Sequence, residues 1–203
     1  MFYRTDGPHG LPHNPFKCCV VPRPIGWIST ISADGDVNLA PYSFFNGVAG
    51  EPPMVMFASN GKQPHGPKNS ITNVEATGEF VCNMATWVLR QPMNESSGPH
   101  AAEVNEFEAA SLETESSELV KPPRVKAAPI HMECLHFKTV ELPCDTPEGR
   151  NAICIGRVIG IHIHDDYLKD GMVDIATIKP IARLGYHDYT AVETVFEMVR
   201  PGA

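Results

Sequence analysis

Apolar and polar positions in this chain alternate in short runs broken by glycine and proline, the pattern of many short strands rather than a few long helices. The turn Pro22-Arg23-Pro24 leads into Ile25-Gly26-Trp27-Ile28-Ser29-Thr30-Ile31-Ser32, a β-branched and aromatic run that predicts a strand with hydroxyls near its end. Ala33-Asp34-Gly35-Asp36 supplies a tight turn, and residues 37–45 read as the returning strand of a hairpin. Pro41 within it implies a bulge or an edge. After Glu51-Pro52-Pro53, the run Met54 to Ser59 predicts a third strand, apolar on both faces like a buried barrel strand, and Asn60-Gly61 ends it. Residues 68–76 have a helical pattern, with Asn69 or Ser70 available as N-cap and Gly78 as the stop, before a fourth strand over Glu79–Met84.

Between Ala85 and Leu112 the period changes. Trp87, Val88 and Leu89, then Val104, Phe107 and Ala110, predict two short helices separated near Ser97-Gly98-Pro99. Residues 113–129, acidic and then proline-rich, suit a surface loop or edge segment able to cover a cleft. Strands resume over 130–142 and 151–164, where Gly156 and Gly160 offer bending points. No internal repeat interrupts this order. The expected fold is mainly β: one domain over residues 1–203, a closed or split antiparallel β-barrel with a few short peripheral helices.

Composition narrows the partners. A chain of 203 residues that is 42% hydrophobic is enough for one domain with its own core. Its formal charge of -8 repels phosphate polymers and anionic lipid surfaces, so no nucleic acid and no membrane partner is expected. A small anion is still compatible, because a few converging donors outweigh a screened global charge. None of the six cysteines forms a two-residue-spaced pair, which fits reduced thiols, and the opening residues lack the apolar stretch of a signal peptide. The expected location is cytoplasmic.

Two clusters suggest anion chemistry. Thr30 and Ser32 share one strand face and Ser29 takes the other, although such hydroxyls commonly just meet water. Lys68-Asn69-Ser70 opens the predicted helix, where free N–H groups and the positive dipole end favour an anion; the plain alternative is an ordinary capped helix. Other groups have bland readings. His162 and His164 with Asp165 or Asp166 look more like a solvated strand end than metal ligands, and His131-Met132-Glu133 like a barrel exterior, so no metal is expected. Cys18-Cys19, read as strand neighbours pointing to opposite faces, would be strained as a disulfide and fit better as small buried hydrophobes.

The ordered set Pro22-Arg23-Pro24-Ile25-Gly26-Trp27-Ile28-Ser29-Thr30, Asn38-Leu39-Ala40-Pro41-Tyr42-Ser43-Phe44-Phe45-Asn46, Lys68-Asn69-Ser70-Ile71-Thr72-Asn73, Thr77-Gly78-Glu79-Phe80-Val81-Cys82-Asn83, Asn105-Glu106-Phe107 and residues 182–189 resembles the flavin reductase-like, FMN-binding split-barrel family over nearly the whole chain. The resemblance implies a homodimer with FMN in the groove between subunits. It implies that Ser29, Thr30 and Ser32 with Lys68, Asn69 and Ser70 meet the phosphate or ribityl chain, while Pro41, Tyr42, Ser43 and Asn46 run beside the ring. Trp27 belongs either to the core or to the flavin wall, and Tyr186, His187 and Tyr189 either reach the flavin or partner or pack as aromatics. Two positions depart from the family pattern: Asn69-Ser70 stands where relatives often have Asp-Thr, and Ser111 where a glycine is frequent. The implied activity is hydride transfer from NADH or NADPH to flavin N5. That step needs no proton-transferring side chain, so no catalytic residue is assigned. The alternatives are an FMN-carrying electron-transfer protein reduced by a protein partner, and a flavin-free binding barrel.

Overall fold

The computed structural model describes residues 1–61, 69–100 and 104–202. In chain order the elements are β1 (Arg23–Pro24), β2 (Gly26–Ile31), β3 (Val37–Tyr42), β4 (Phe45–Gly50), β5 (Pro53–Ser59), α1 (Asn69–Thr77), β6 (Glu79–Met84), α2 (Arg90–Glu95) and α3 (Glu106–Ala109). Then follow β7 (Thr114–Glu115), β8 (Arg124–Val125), β9 (Ile130–Leu142), β10 (Asn151–Ile163), β11 (Leu168–Lys169), β12 (Met172–Val173), α4 (Ile175–Ile178), β13 (Ile181–Arg183) and β14 (Tyr189–Ala191).

The main sheet has seven antiparallel strands in the order β3-β2-β6-β9-β10-β5-β4. Its two edge strands, β3 and β4, are consecutive in the chain and joined by Ser43 and Phe44 alone. Two residues span only about 10 Å between their neighbours, so the sheet has to curl until its edges nearly meet. The result is a split barrel. Pro41 is tolerated because β3 is an edge. The curl is helped by register shifts in β10 beside Gly156 and Gly160. A Cβ on Gly156 would sit 2.2 Å from the Phe80 ring, and one on Gly26 would sit 2.4 Å from the Phe45 ring, so both strands approach aromatic rings that only glycine admits.

Two cores lie on opposite faces of β2. Ile28, Phe57, Phe80, Cys82, Cys134 and Cys154 fill the barrel, with Ile71 and Val74 of α1 packed among them. Trp27 and Leu39 face outward and are covered by Leu89 and Met93 around α2, Phe107 of α3, Val125 of β8 and Ile181 of β13. Helix α1 ends as its sequence implies: Gly78 has φ +77° and donates its N–H to the Val74 carbonyl at 2.8 Å.

The structure departs from the sequence reading in several places. Residues 37–45 form not one returning strand but β3 and the start of β4, whose glycines and exposed side chains hid it. Residues 113–129 carry the small β7–β8 ladder and strap across the outer face of the barrel. Cys18 closes a 3-10 turn over Phe16–Cys18; it is half-buried and Cys19 is exposed, so neither is a buried strand residue. A third sheet, β1-β13-β14, gathers the chain's two ends.

Candidate functional site

The segments expected to grip an anion are neighbours. Helix α1 lies on β2 and β3, where Asn73 Nδ2 donates to Thr30 Oγ1 at 3.1 Å and the Ser70 hydroxyl lies 2.9 Å from the Asn38 side chain. With its amide oriented to satisfy its surroundings, Asn38 accepts from Ser70 Oγ and from its neighbour Leu39's N–H, and donates to Glu106 Oε1 at 3.3 Å. Glu106 enters from the first turn of α3, whose N-cap Asn105 accepts the Phe107 N–H. Its other oxygen accepts the Leu39 N–H at 3.0 Å. Burial pushes the Glu106 carboxyl above its ordinary value, and the Leu39 N–H only partly opposes this. Burial also raises the nearby Tyr42 phenol, against the Ser70 hydroxyl.

These side chains turn inward. Thr30, Asn38, Ser70 and Asn73 are all buried, and their hydrogen bonds fasten α1 to the hairpin. At the amino end of α1 the first N–H groups have no partner within a helix. Lys68 and the side chain of Asn69 lie outside the described residues.

The other expected site residues fall into three places. Trp27 and Ser29 are on the opposite face of β2. Trp27 is fully buried and donates Nε1–H to Ser96 Oγ at 2.9 Å, so it is a core residue with no face to offer a ring. Ser29 donates to the Pro123 carbonyl at 2.6 Å and accepts from Asn83, which ties down the strap. Ser32 closes the hairpin turn by accepting the N–H groups of Asp34 and Asp36. Pro41 is half-buried opposite Trp27, Tyr42 is buried in the barrel core, Ser43 lies 3.5 Å from Arg23 Nε, and Asn46 is exposed on β4. The structure thus gathers Thr30, Ser70 and Tyr42 around Asn38 and Glu106, sets Ser43 on the edge link and Asn46 on β4 just beyond it, puts Trp27 and Ser29 on the opposite face of β2, and leaves Ser32 in the hairpin turn.

A second polar cluster lies under the strap. Glu133 is fully buried; its carboxylate accepts the N–H groups of Glu118 at 2.9 Å and Leu119 at 2.6 Å, and meets His162 Nε2 at 2.5 Å. Burial alone would raise this carboxyl, but these three contacts outweigh it and hold the group below its ordinary value. His131, also buried, bonds through Nε2 to the Val125 carbonyl at 2.8 Å, and burial lowers its imidazole. His131 and Glu133 are therefore interior latches, not a barrel exterior. No group of three or more metal-binding side chains occurs among the described residues. Glu106, quoted in the sequence only as part of a motif, and Glu133, read there as barrel exterior, are the functional-looking carboxylates to which the sequence reading gave no role. A lone glutamate inside an apolar strand run, as in Ile130-His131-Met132-Glu133-Cys134, was the available signal.

The family model described as "Flavin reductase like domain" matches residues 18–189. An uncharacterized protein of Aquifex aeolicus is 40% identical over 167 residues, 82% of each chain. Among solved structures, nitrilotriacetate monooxygenase component B from Bacillus cereus superposes with a TM-score of 0.86 at 27% identity, covering 98% of each chain. Flavoredoxin of Desulfovibrio vulgaris does so at 0.74 with 17% identity, over 99% of this chain and 97% of its own, a likeness of fold. No helix among the described residues is long and apolar enough to cross a membrane. Together the matches support a flavin-related oxidoreductase.

Proposed function

The chain belongs to the flavin reductase-like family, and from that premise we propose that it binds FMN as a homodimer and reduces flavin with NADH or NADPH. The observation that carries the reading is the docking of α1 onto the β2–β3 hairpin, which sets a helix amino end beside the strand edge that continues into Ser43 and Asn46. The residues present fit the cofactor's two needs. A phosphate dianion suits the N–H groups at the amino end of α1, with the Lys68 charge expected to join them. A pyrimidine edge suits β4, which pairs with β5 on one side only and so keeps alternate N–H and C=O groups for a ligand. Thr30 and Ser70, already bonded to protein, act here as positioning residues for α1 rather than as phosphate ligands.

Bound FMN would supply the hydride-accepting chemistry. The chain's own work is placement. Buried contacts among Asn38, Ser70 and Glu106 hold the helix end still, and the β4 edge orients the ring while donating hydrogen bonds toward developing charge. The half-exposed Val48 on that unpaired edge supports a second subunit closing the groove.

The absorption spectrum of the purified protein, before and after added FMN and then each nicotinamide without oxygen, tests the reading. A bound flavin band that bleaches with NADH or NADPH is expected. A protein that binds no FMN overturns it. Bleaching by a reduced protein partner but by neither nicotinamide favours the second reading, an electron-transfer flavoprotein, toward which the likeness to flavoredoxin points. Lys68→Ala is expected to weaken FMN binding about tenfold by removing a charge-assisted contact; unchanged affinity would move the phosphate elsewhere.

A further inference from the structure

A cleft of about 210 Å³ opens between α2 and β14, on the outer face of the barrel. Its floor is apolar, made by Met93 and Ile181, both nearly inaccessible. Its walls are two aromatic residues from distant parts of the chain, Trp87 and Tyr189, each paired with an arginine. The Arg90 guanidinium lies 3.9 Å from the Trp87 ring centroid and donates to the Trp87 carbonyl at 2.6 Å. The Arg183 guanidinium lies 4.4 Å from the Tyr189 ring centroid and donates to the Tyr189 hydroxyl.

Two guanidinium groups bring positive charge to this place in a chain whose formal charge is -8. Acidic residues outnumber Lys and Arg by 24 to 16, and Arg4, Arg124 and Arg150 each meet a carboxylate. Among the described residues Arg90 and Arg183, like Arg23, Arg157 and Arg200, meet no carboxylate; what sets these two apart is that each is stacked on a ring and held by oxygen dipoles at the cleft. A guanidinium stacked on a ring keeps its full charge and is pre-ordered, with N–H donors in the ring plane able to take both oxygens of a carboxylate. The Asn94 amide adds a further polar group to the lining. A volume below the few hundred Å³ typical of drug-sized ligands matches a single ring with one small substituent.

We propose that this cleft binds a small aromatic carboxylate, its ring on the Met93 and Ile181 floor and its carboxylate on Arg90. The site uses none of the groups assigned to FMN and does not rest on that assignment. The chain's two tryptophans make it readable: Trp27 is fully buried and bonded to Ser96, whereas Trp87 is about half exposed at the cleft.

The test is a titration of the purified protein with benzoate, followed by tryptophan fluorescence and by calorimetry, with benzyl alcohol and acetate as the ring-only and charge-only probes. Benzoate is expected to saturate and to perturb Trp87. Benzyl alcohol and acetate are each expected to bind at least about tenfold more weakly. Arg90→Gln is expected to lower benzoate affinity about tenfold with an unchanged melting temperature, since the side chain makes no buried contact. Trp87→Phe should abolish the fluorescence response while calorimetry still detects benzoate. No saturable heat with benzoate, equal affinity for benzyl alcohol, or wild-type affinity in Arg90→Gln would each overturn the proposal. A protein that fails to bind FMN but passes these tests would leave this site standing.

Discussion

Two buried glutamates fasten two segments onto opposite faces of one barrel, and their surroundings drive them in opposite directions. Glu106, at the junction of α1, α3 and the hairpin, receives one backbone N–H and one amide, so burial prevails and its carboxyl is raised. Glu133, beneath the strap, receives two backbone N–H groups and an imidazole, so hydrogen bonding prevails and its carboxyl is lowered. Burial and donor count together decide which form each site favours. Burial thus disfavours the charge at the helix junction, while hydrogen bonding favours it beneath the strap.

The sharpest way to break the contrast is Glu133→Ala, which leaves two backbone N–H groups and a histidine without their acceptor. A loss of about 3–5 kcal/mol in urea unfolding is expected; a loss under about 1 kcal/mol would mean that the strap is not held by this carboxylate. Replacement by glutamine separates the sites further. Glu106→Gln keeps one acceptor at a site where burial already disfavours charge, so it should cost about 1 kcal/mol, whereas Glu133→Gln should cost about 2 kcal/mol.

The dependence on pH carries opposite signs. Glu133, lowered on folding, contributes stability that is present above its ordinary value near 4.5 and is lost as pH falls through the folded value. Glu106, raised on folding, contributes most below its ordinary value and loses that contribution as pH rises through the folded one. Measured against the parent protein, the deficit of Glu133→Gln should therefore shrink toward acid, and that of Glu106→Gln should grow. Parallel pH profiles would erase the distinction. An effect as small as that of Glu106→Gln is expected at Thr30→Val, which removes the acceptor of Asn73: about 1 kcal/mol, with a matching weakening of FMN binding if α1 position matters to the phosphate.

Much of the barrel was legible in the sequence. The β2 run, the α1 stop at Gly78 and the long β9 and β10 strands show themselves through period and punctuation, which are local properties. The side-chain destinations were not legible to the same degree. Alternation correctly put Ser29 and Thr30 on opposite faces, but whether a hydroxyl meets solvent, ligand or a passing carbonyl depends on what covers that face, and the cover comes from residues far along the chain: Pro123 for Ser29, Asn73 for Thr30. Trp27 was ambiguous for the same reason, because Ser96 and α2 decide it. The cleft at Trp87 and Tyr189 is built from residues about a hundred apart and has no local signature at all.

The two-residue link at Ser43 and Phe44 makes the sheet behave like a hoop with a single clasp. Moving the termini to that point by circular permutation would release both rims at once, and each would present a full row of unsatisfied backbone groups to any passing strand. Hence a permuted form opened there should be prone to self-association, although every residue of the parent would still be present.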